Sequence, residues 1–528
     1  MYCSLSGEML EKDVNDTGRP RYHCLDNAIA TDRSVESMRL VRTLWGLHAM
    51  LERVAGSGAA VRMLEHSLRL LDPYRDCAWV VEKAHFWHLR ESIDRETDVN
   101  TPASFISRAF TAFANRLALG MPDTTTSARA SGSDAFALAR AAGFGGIASA
   151  GARDSAAVEL VRIDGYVWLT YRQVGQLAHR IARALRALPG VQRGDTVGIS
   201  GPNSFEWACV DFACMLAGLT SVGLHTTNNN PTTAAIVNNA SIAVIVAVHD
   251  RIVSGTAGDD EESESAVRWS VAGIADQCPS LLHVVAMDVS TDMARRSTAN
   301  SPALQRIELH SLWDMVDPML DAARTLQLEP PEEQPVGGTD GVVSLLYTSG
   351  SSGAPKGVIC VAQSFYNDIK QRTFIEPHVT VSYIPLSHSS DRMKLWEFLG
   401  NGGRVGFAYF GASHWLAHER SKKSDMVVQA FGASSAPVRA LFEQVCALRP
   451  TAMSCPPNIW NGLYGLYLDA RERLHNDALA LASVAALFGD RIKFVVTGGA
   501  PTAPAIMTFI KQLLPNCSFS NSCTYVWP

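Results

Sequence analysis

The 528-residue sequence is short of long apolar runs. No window reaches the roughly 18 consecutive apolar residues that a membrane-spanning helix requires. A helical membrane crossing is therefore not expected, although contact with a membrane surface stays open. The N-terminus has no signal-peptide apolar region, which argues against secretion. Charge is modest too: 19% of residues are charged, the net charge is −6, and there is no basic run. A nucleic-acid partner is accordingly not expected. Eleven cysteines are scattered without C-x-x-C spacing or the density of a disulfide scaffold. Reduced thiols in an intracellular setting follow, either cytoplasmic or peripheral to an organelle membrane. There is no internal repeat.

What is present is a chain too long for one simple core, which suggests two or more lobes. Residues 1–98 read as a helical, amphipathic extension. "SVESMRLVRTLWGLHAMLERV" and "AAVRMLEHSLRLL" place apolar residues at three-to-four spacing. His85 and His88 in "EKAHFWH" have metal-pair spacing, but packing on a helix explains them more simply. "TPASFISRAFTAFANRLALG" (101–120) reads as another amphipathic helix with a Thr-Pro start, and 121–156 as a flexible insertion rich in Ala, Ser and Gly. From "YVWLTYRQV" onward, short β-branched runs alternate with helical stretches: "GQLAHRIARALRAL", "TVGIS", "SFEWACVDFACMLAGL", "TSVGLH", "TTAAIVNNA", "SIAVIVAV". That alternation predicts an α/β fold of βαβ units around a buried, largely parallel sheet. Acidic or Pro-rich connectors occupy 255–265 and 328–340.

One loop stands out. "VVSLLY" (342–347) reads as a buried strand, "GVIC" (357–360) as another, and between them lies Thr348-Ser349-Gly350-Ser351-Ser352-Gly353-Ala354-Pro355-Lys356. Gly350, Gly353 and Gly357 permit turns that aim successive backbone N–H groups into one concavity, which suits an anion. Thr348, Ser349, Ser351 and Ser352 add hydroxyls, Lys356 adds a mobile positive charge, and Pro355 stiffens the approach. The pattern points to a polyphosphate cradle. It is not a Walker loop, because Gly rather than Ser or Thr follows the lysine and no helix begins there.

These residues resemble the phosphate-binding signature of the adenylate-forming superfamily, which includes acyl-CoA synthetases, adenylation domains and luciferases. The resemblance spans roughly 100–522. "WLTYRQV", "GDTVGISGPNSFEWACVDFACMLAG" and "SVGLHTT" are similar to its N-terminal half, "YIPLSHSSDRM" (383–393) resembles the long-chain acyl-CoA synthetase motif, and "FVVTGGAPTAP" (494–504) resembles the segment beside adenine. The resemblance implies the large N-terminal domain of the adenylation fold, at residues 99–528. It implies ATP-phosphate binding by Thr348 through Gly353, Pro355, Lys356 and Gly357, with Thr348 also a magnesium ligand. Gly498, Gly499, Ala500 and Pro501 would wall the adenine and acyl pocket, Gly499 touching substrate. His388 would lie near the acyl group and the β- and γ-phosphates, so that His388, Lys356 and Thr348 are the catalytic candidates. Arg392 is left open between a phosphate partner and a salt-bridged helix residue.

In this family Phe-Ser-Asn-Ser is followed by Tyr-Gly-Ser-Thr-Glu, whose glutamate binds magnesium. Here "FSNS" (519–522) fits, but Cys523, Thr524 and Trp527 stand where the tyrosine, glycine and glutamate belong. Tryptophan offers a hard cation no oxygen. The expectation is a chain lacking the small C-terminal domain, with an aberrant 523–528 and unable to complete thioester formation by itself. The activity implied is ATP-dependent activation of a carboxylic acid, foremost a long-chain fatty acid, to an acyl-adenylate and then a thioester of coenzyme A. An adenylation domain of a carboxylic acid reductase or peptide synthetase is one alternative, and an inactive nucleotide-binding homologue another.

Overall fold

The computed structural model describes residues 2–3, 9–14, 20–24, 101–122, 161–163, 165–253, 269–299, 301–316, 340–348, 355–370, 378–408, 436–498 and 500–522. The chain divides into two units, Met1–Thr97 with Thr373–Pro377, and Asp98–Arg372 with His378–Pro528.

In the first unit the described residues form a three-stranded antiparallel sheet: β1 (Tyr2–Cys3), β2 (Met9–Val14) and β3 (Pro20–Cys24). This corrects the helical expectation for this stretch. The helical readings of 34–71 and the His85/His88 pair lie outside the described residues.

The second unit is α/β and holds two sheets. Its strands, in chain order, are β4 (Leu117–Pro122), β5 (Val161–Ile163), β6 (Tyr166–Thr170), β7 (Thr196–Ser200), β8 (Thr220–Gly223), β9 (Ile242–Ala247), β10 (His283–Ala286), β11 (Glu308–Ser311), β12 (Val342–Thr348), β13 (Lys356–Val361), β14 (Val379–Ser382), β15 (Arg404–Phe407), β16 (Ala452–Ser454), β17 (Phe494–Gly498) and β18 (Ser518–Ser522). The seven-stranded sheet has the order β11-β10-β9-β7-β8-β12-β13, and the eight-stranded sheet β18-β17-β16-β14-β15-β4-β6-β5. The first is parallel except at β12–β13, the second parallel except at β4–β6 and β5–β6.

Helix starts follow capping chemistry. Helix α1 (Pro102–Ala112) begins at a Thr101–Ser104 capping box. The chain then turns into β4, so "LALG" is strand and not a continuation of the helix, and Met121 and Pro122 close that strand; the remainder of the expected insertion is not described. Helix α2 (Tyr171–Arg186) starts at Thr170, whose hydroxyl accepts from Gln173 N–H while the Gln173 carboxamide accepts from Thr170 N–H. The strand in "YVWLTYRQV" therefore ends at Thr170. Ser204 caps α3 (Phe205–Leu216), and Asn229 caps α4 (Asn230–Asn239). Every residue of α3 is buried, as expected of a helix that touches β7 and β8 of one sheet and β4 of the other. No described helix is long and apolar enough to cross a membrane.

The candidate adenylation site

In parallel sheets, binding residues collect where strands end and loops begin. Strands β8 and β12 lie side by side, with Ser221 opposite Ser344, so the segments that leave them begin as neighbours. β8 leads to Leu224 and His225, and β12 leads through Tyr347 and Thr348 into the Gly/Ser loop. The loop is the tip of an antiparallel hairpin: Thr348 pairs with Lys356 and Tyr347 with Gly357. A strand follows the loop, consistent with the exclusion of a Walker motif. Only β12 is substantially buried. β13 is an edge strand with Ile359 63% exposed, which corrects the expectation of two buried strands.

Thr348 and Lys356 are exposed and face each other across the base of the loop, with Pro355 half-buried beside them. Among the described residues, no carboxylate pairs with Lys356. A hydroxyl and a mobile ammonium at one mouth fit an anion. Ser349, Gly350, Ser351, Ser352 and Gly353 lie outside the described residues.

His388 comes from the other sheet. β14 runs into "YIPLSH", whose course is set by two buried polar side chains. Asp391, 2% exposed, accepts from Tyr383 N–H (2.9 Å), Ile384 N–H (3.0 Å) and the Ser382 hydroxyl (3.1 Å), and pairs with Lys394 at 2.8 Å. Asn203 accepts from Leu386 N–H at 2.8 Å and donates to Ile384 O and Ser382 Oγ. His388 then stands exposed at the N-terminus of helix α5 (Ser389–Gly400), its backbone N–H donating to Pro385 O. Partial desolvation holds its pKa below the usual imidazole value, with Asp391 opposing.

Arg392 resolves to a structural role. It is 1% exposed, and its guanidinium pairs with buried Asp211 on α3 and donates to Ser221 on β8 and to Ser344 on β12. Trp396 Nε1–H also donates to Asp211. The phosphate-partner reading is thereby corrected: the cation is consumed by a buried carboxylate. Its effect is to clamp the helix behind His388 onto the strand that feeds the Gly/Ser loop.

The residue that sequence reasoning missed is His225. Its ring lies 4.3 Å from that of His388, its Nδ1 is 2.8 Å from Ser387 Oγ, and the Tyr347 backbone hydrogen-bonds to it. It thus joins the start of the Gly/Ser loop to the His388 segment. Burial, reinforced by His388 and opposed by the Tyr347 backbone, pulls its pKa down to about 4, so the ring is neutral at ordinary pH. The available signal was a histidine two residues beyond a parallel strand, inside "SVGLHTT". Gly223 permits this approach: a Cβ there would stand 2.6 Å from Ser387 Cα.

The third group lies where β17 ends. Gly498 is the last residue of that strand and pairs with Ser522 of β18. Ala500 and Pro501 are exposed, and the hydroxyls of Thr497 and Thr502 meet at 3.2 Å across the turn. Because β14 and β17 are parallel members of one sheet, the His388 and Gly498 segments leave from the same edge. Gly499 and Cys523–Pro528 are outside the described residues, so the mismatch at Trp527 has no structural counterpart.

Residues 148–419 match the AMP-binding enzyme family, a span of more than half the chain. The chain belongs to that family. Among curated proteins, it is 26% identical over 362 residues to a carboxylic acid reductase of Mycobacterium tuberculosis, covering 66% of this chain and 27% of that protein. It is 24% identical over 391 residues to the peroxisomal long chain acyl-CoA synthetase 6 of Arabidopsis thaliana, covering 66% and 47%. The chain thus spans about half the length, or less, of these relatives. Among solved structures, the adenylation domain of a Mycobacterium chelonae carboxylate reductase superposes with a TM-score of 0.57 at 20% identity, covering 95% of this chain and 65% of that one. The A-PCP didomain of the Segniliparus rugosus carboxylic acid reductase, in complex with AMP, gives 0.58 at 20%, covering 87% and 57%. These superpositions establish the adenylation-domain fold of the second unit.

Proposed function

We propose that this AMP-binding enzyme activates a carboxylic acid at the expense of ATP, and that its acid is a long-chain fatty acid. The carboxylate attacks the α-phosphorus of Mg-ATP, forming an acyl-adenylate and releasing pyrophosphate. A thiol, that of coenzyme A, then displaces AMP. The observation that carries the proposal is the Thr348–Lys356 pairing at the base of a Gly/Ser loop, inside the segment that matches the family.

In this reading Thr348, Ser349, Gly350, Ser351, Ser352, Gly353 and Lys356 hold the phosphates, and charge neutralisation and in-line positioning supply most of the rate. The Thr348 hydroxyl would help hold magnesium, which would supply neutralisation of phosphate charge. His388 donates to the developing negative charge. His225 holds its ring and the Tyr347 end of the loop in register. Gly498, Gly499, Ala500 and Pro501 line the adenine and acyl side. The fatty-acid assignment draws on "YIPLSHSSDRM" and on the acyl-CoA synthetase relatives.

A second reading, the adenylation domain of a carboxylic acid reductase, draws on the Mycobacterium tuberculosis relative, and its acceptor is a carrier-domain thiol. The test is acid-dependent ATP–pyrophosphate exchange, run across fatty and aromatic acids, with separate detection of the coenzyme A thioester. Exchange with long-chain acids is expected; a coenzyme A thioester would favour the first reading and overturn the expectation that the chain cannot complete that step by itself. Exchange without a coenzyme A thioester supports the second reading. No exchange with any acid overturns both and leaves a nucleotide-binding homologue, which the tryptophan at 527 would suit.

A further inference from the structure

The seven-stranded sheet carries a second histidine pair at its β11 edge. β10 opens with His283 and β11 with Glu308, and these two residues are register partners; His310 lies two residues along β11. β11 is the edge strand. His283 Nδ1 is 3.2 Å from His310 Nε2, and Glu308 Oε2 is 3.6 Å from the first and 3.7 Å from the second. A point equidistant from these three atoms lies about 2.0 Å from each, the length of a Zn–N or Zn–O bond. An ion just off their plane would cap one face of a tetrahedron and leave the fourth vertex to water.

The protein prepares one ligand. His283, 2% exposed, has its Nε2 2.7 Å from the Pro189 carbonyl oxygen. A carbonyl only accepts, so Nε2 carries the proton, and in the neutral ring Nδ1 presents a bare lone pair to the cluster. Metal-bound histidines are oriented in this way, with the second nitrogen donating to a carbonyl or carboxylate. Glu308, more exposed, supplies both the anionic ligand and the open side from which an ion enters.

We infer that His283, Glu308 and His310 form a binding site for one divalent transition-metal ion, best matched to Zn²⁺, that pins the edge strand β11 to β10 and the 187–191 turn. Two imidazoles and one carboxylate suit zinc better than magnesium or calcium, which prefer all-oxygen sets. The site lies at the amino ends of its strands, whereas Thr348 closes the carboxyl end of β12, so it is separate from the adenylation residues.

The experiment is calorimetric titration of the chelator-treated full chain with Zn²⁺, repeated with His310→Ala and Glu308→Gln, and optical spectra with Co²⁺. These two positions are less buried than His283, and thermal melting without metal checks that both variants fold. One Zn²⁺ per chain is expected, with affinity at least about tenfold weaker in each variant. The wild type should gain thermal stability with Zn²⁺ that the variants lack. The Co²⁺ spectrum should be tetrahedral without thiolate bands. Absence of stoichiometric binding, unchanged affinity in the variants, or a thiolate spectrum pointing to the cysteines would overturn the assignment.

Discussion

One histidine pair forms where β8, an interior strand of the seven-stranded sheet, ends, another lies at that sheet's β11 edge, and the two differ in what surrounds them. His225 and His388 tilt at 45° with centroids 4.3 Å apart, and His283 and His310 at 46° with centroids 5.3 Å apart. The first pair spans two sheets and meets a serine hydroxyl and a backbone group; Asp391, the nearest influential carboxylate, is occupied by backbone N–H groups. The second pair lies within one sheet and shares a half-solvated glutamate. The interplanar angles nearly match, so the neighbours distinguish the pairs: a serine hydroxyl and a backbone group in one case, a half-solvated glutamate in the other.

The comparison can be broken most severely at Arg392. Arg392→Met leaves Asp211 buried without its cation, and a stability loss of roughly 3–5 kcal/mol is expected in urea unfolding. A loss below about 1 kcal/mol would mean that the clamp between the sheets is not needed. Next is His388→Ala, which should lower acid-dependent pyrophosphate exchange about 10²-fold while leaving Zn²⁺ titration unchanged. An equal fall in both would show that the two pairs are coupled. Gly223→Ala forces a Cβ against Ser387 Cα, and a cost of roughly 1–3 kcal/mol with weakened exchange is expected.

The remaining effect is the pH dependence of His225. Its folded pKa of about 4 lies below the unfolded value of about 6.5. Between those values the unfolded chain binds more protons, so stability rises with pH and is lost on acidification from about 6.5 toward 4. His225→Gln should flatten that slope in urea midpoints measured across this range. A slope that does not change would place the ring in a more solvated setting.

Much of the second unit was legible because its local signals agree with its packing. Apolar runs such as "SIAVIVAV" became buried central strands, and the helix read from "SFEWACVDFACMLAGL" begins after Ser204, whose side chain caps it. The readings that failed lie where two local signals compete. "LALG" carries helix-compatible residues but pairs with β6, and β1, β2 and β3 pair as a sheet within the expected helical extension. β13 reads as apolar yet is half exposed, since nothing in the sequence marks a strand as the edge of its sheet.

Consecutive residues from Thr348 to Gly357 were enough to mark a candidate anion loop and the resemblance to the family, because backbone freedom and donors are local properties. The sequence determined His388 as a candidate for the same reason, through a contiguous motif. Only the tertiary structure decided what Arg392 does, that His225 stands between the two segments, and that His283, Glu308 and His310 converge. The bonds that join them reach across the chain, over 27 residues for His283–His310 and 181 for Arg392–Asp211. Their meeting depends on strand order and register, which long-range packing sets and no local pattern encodes.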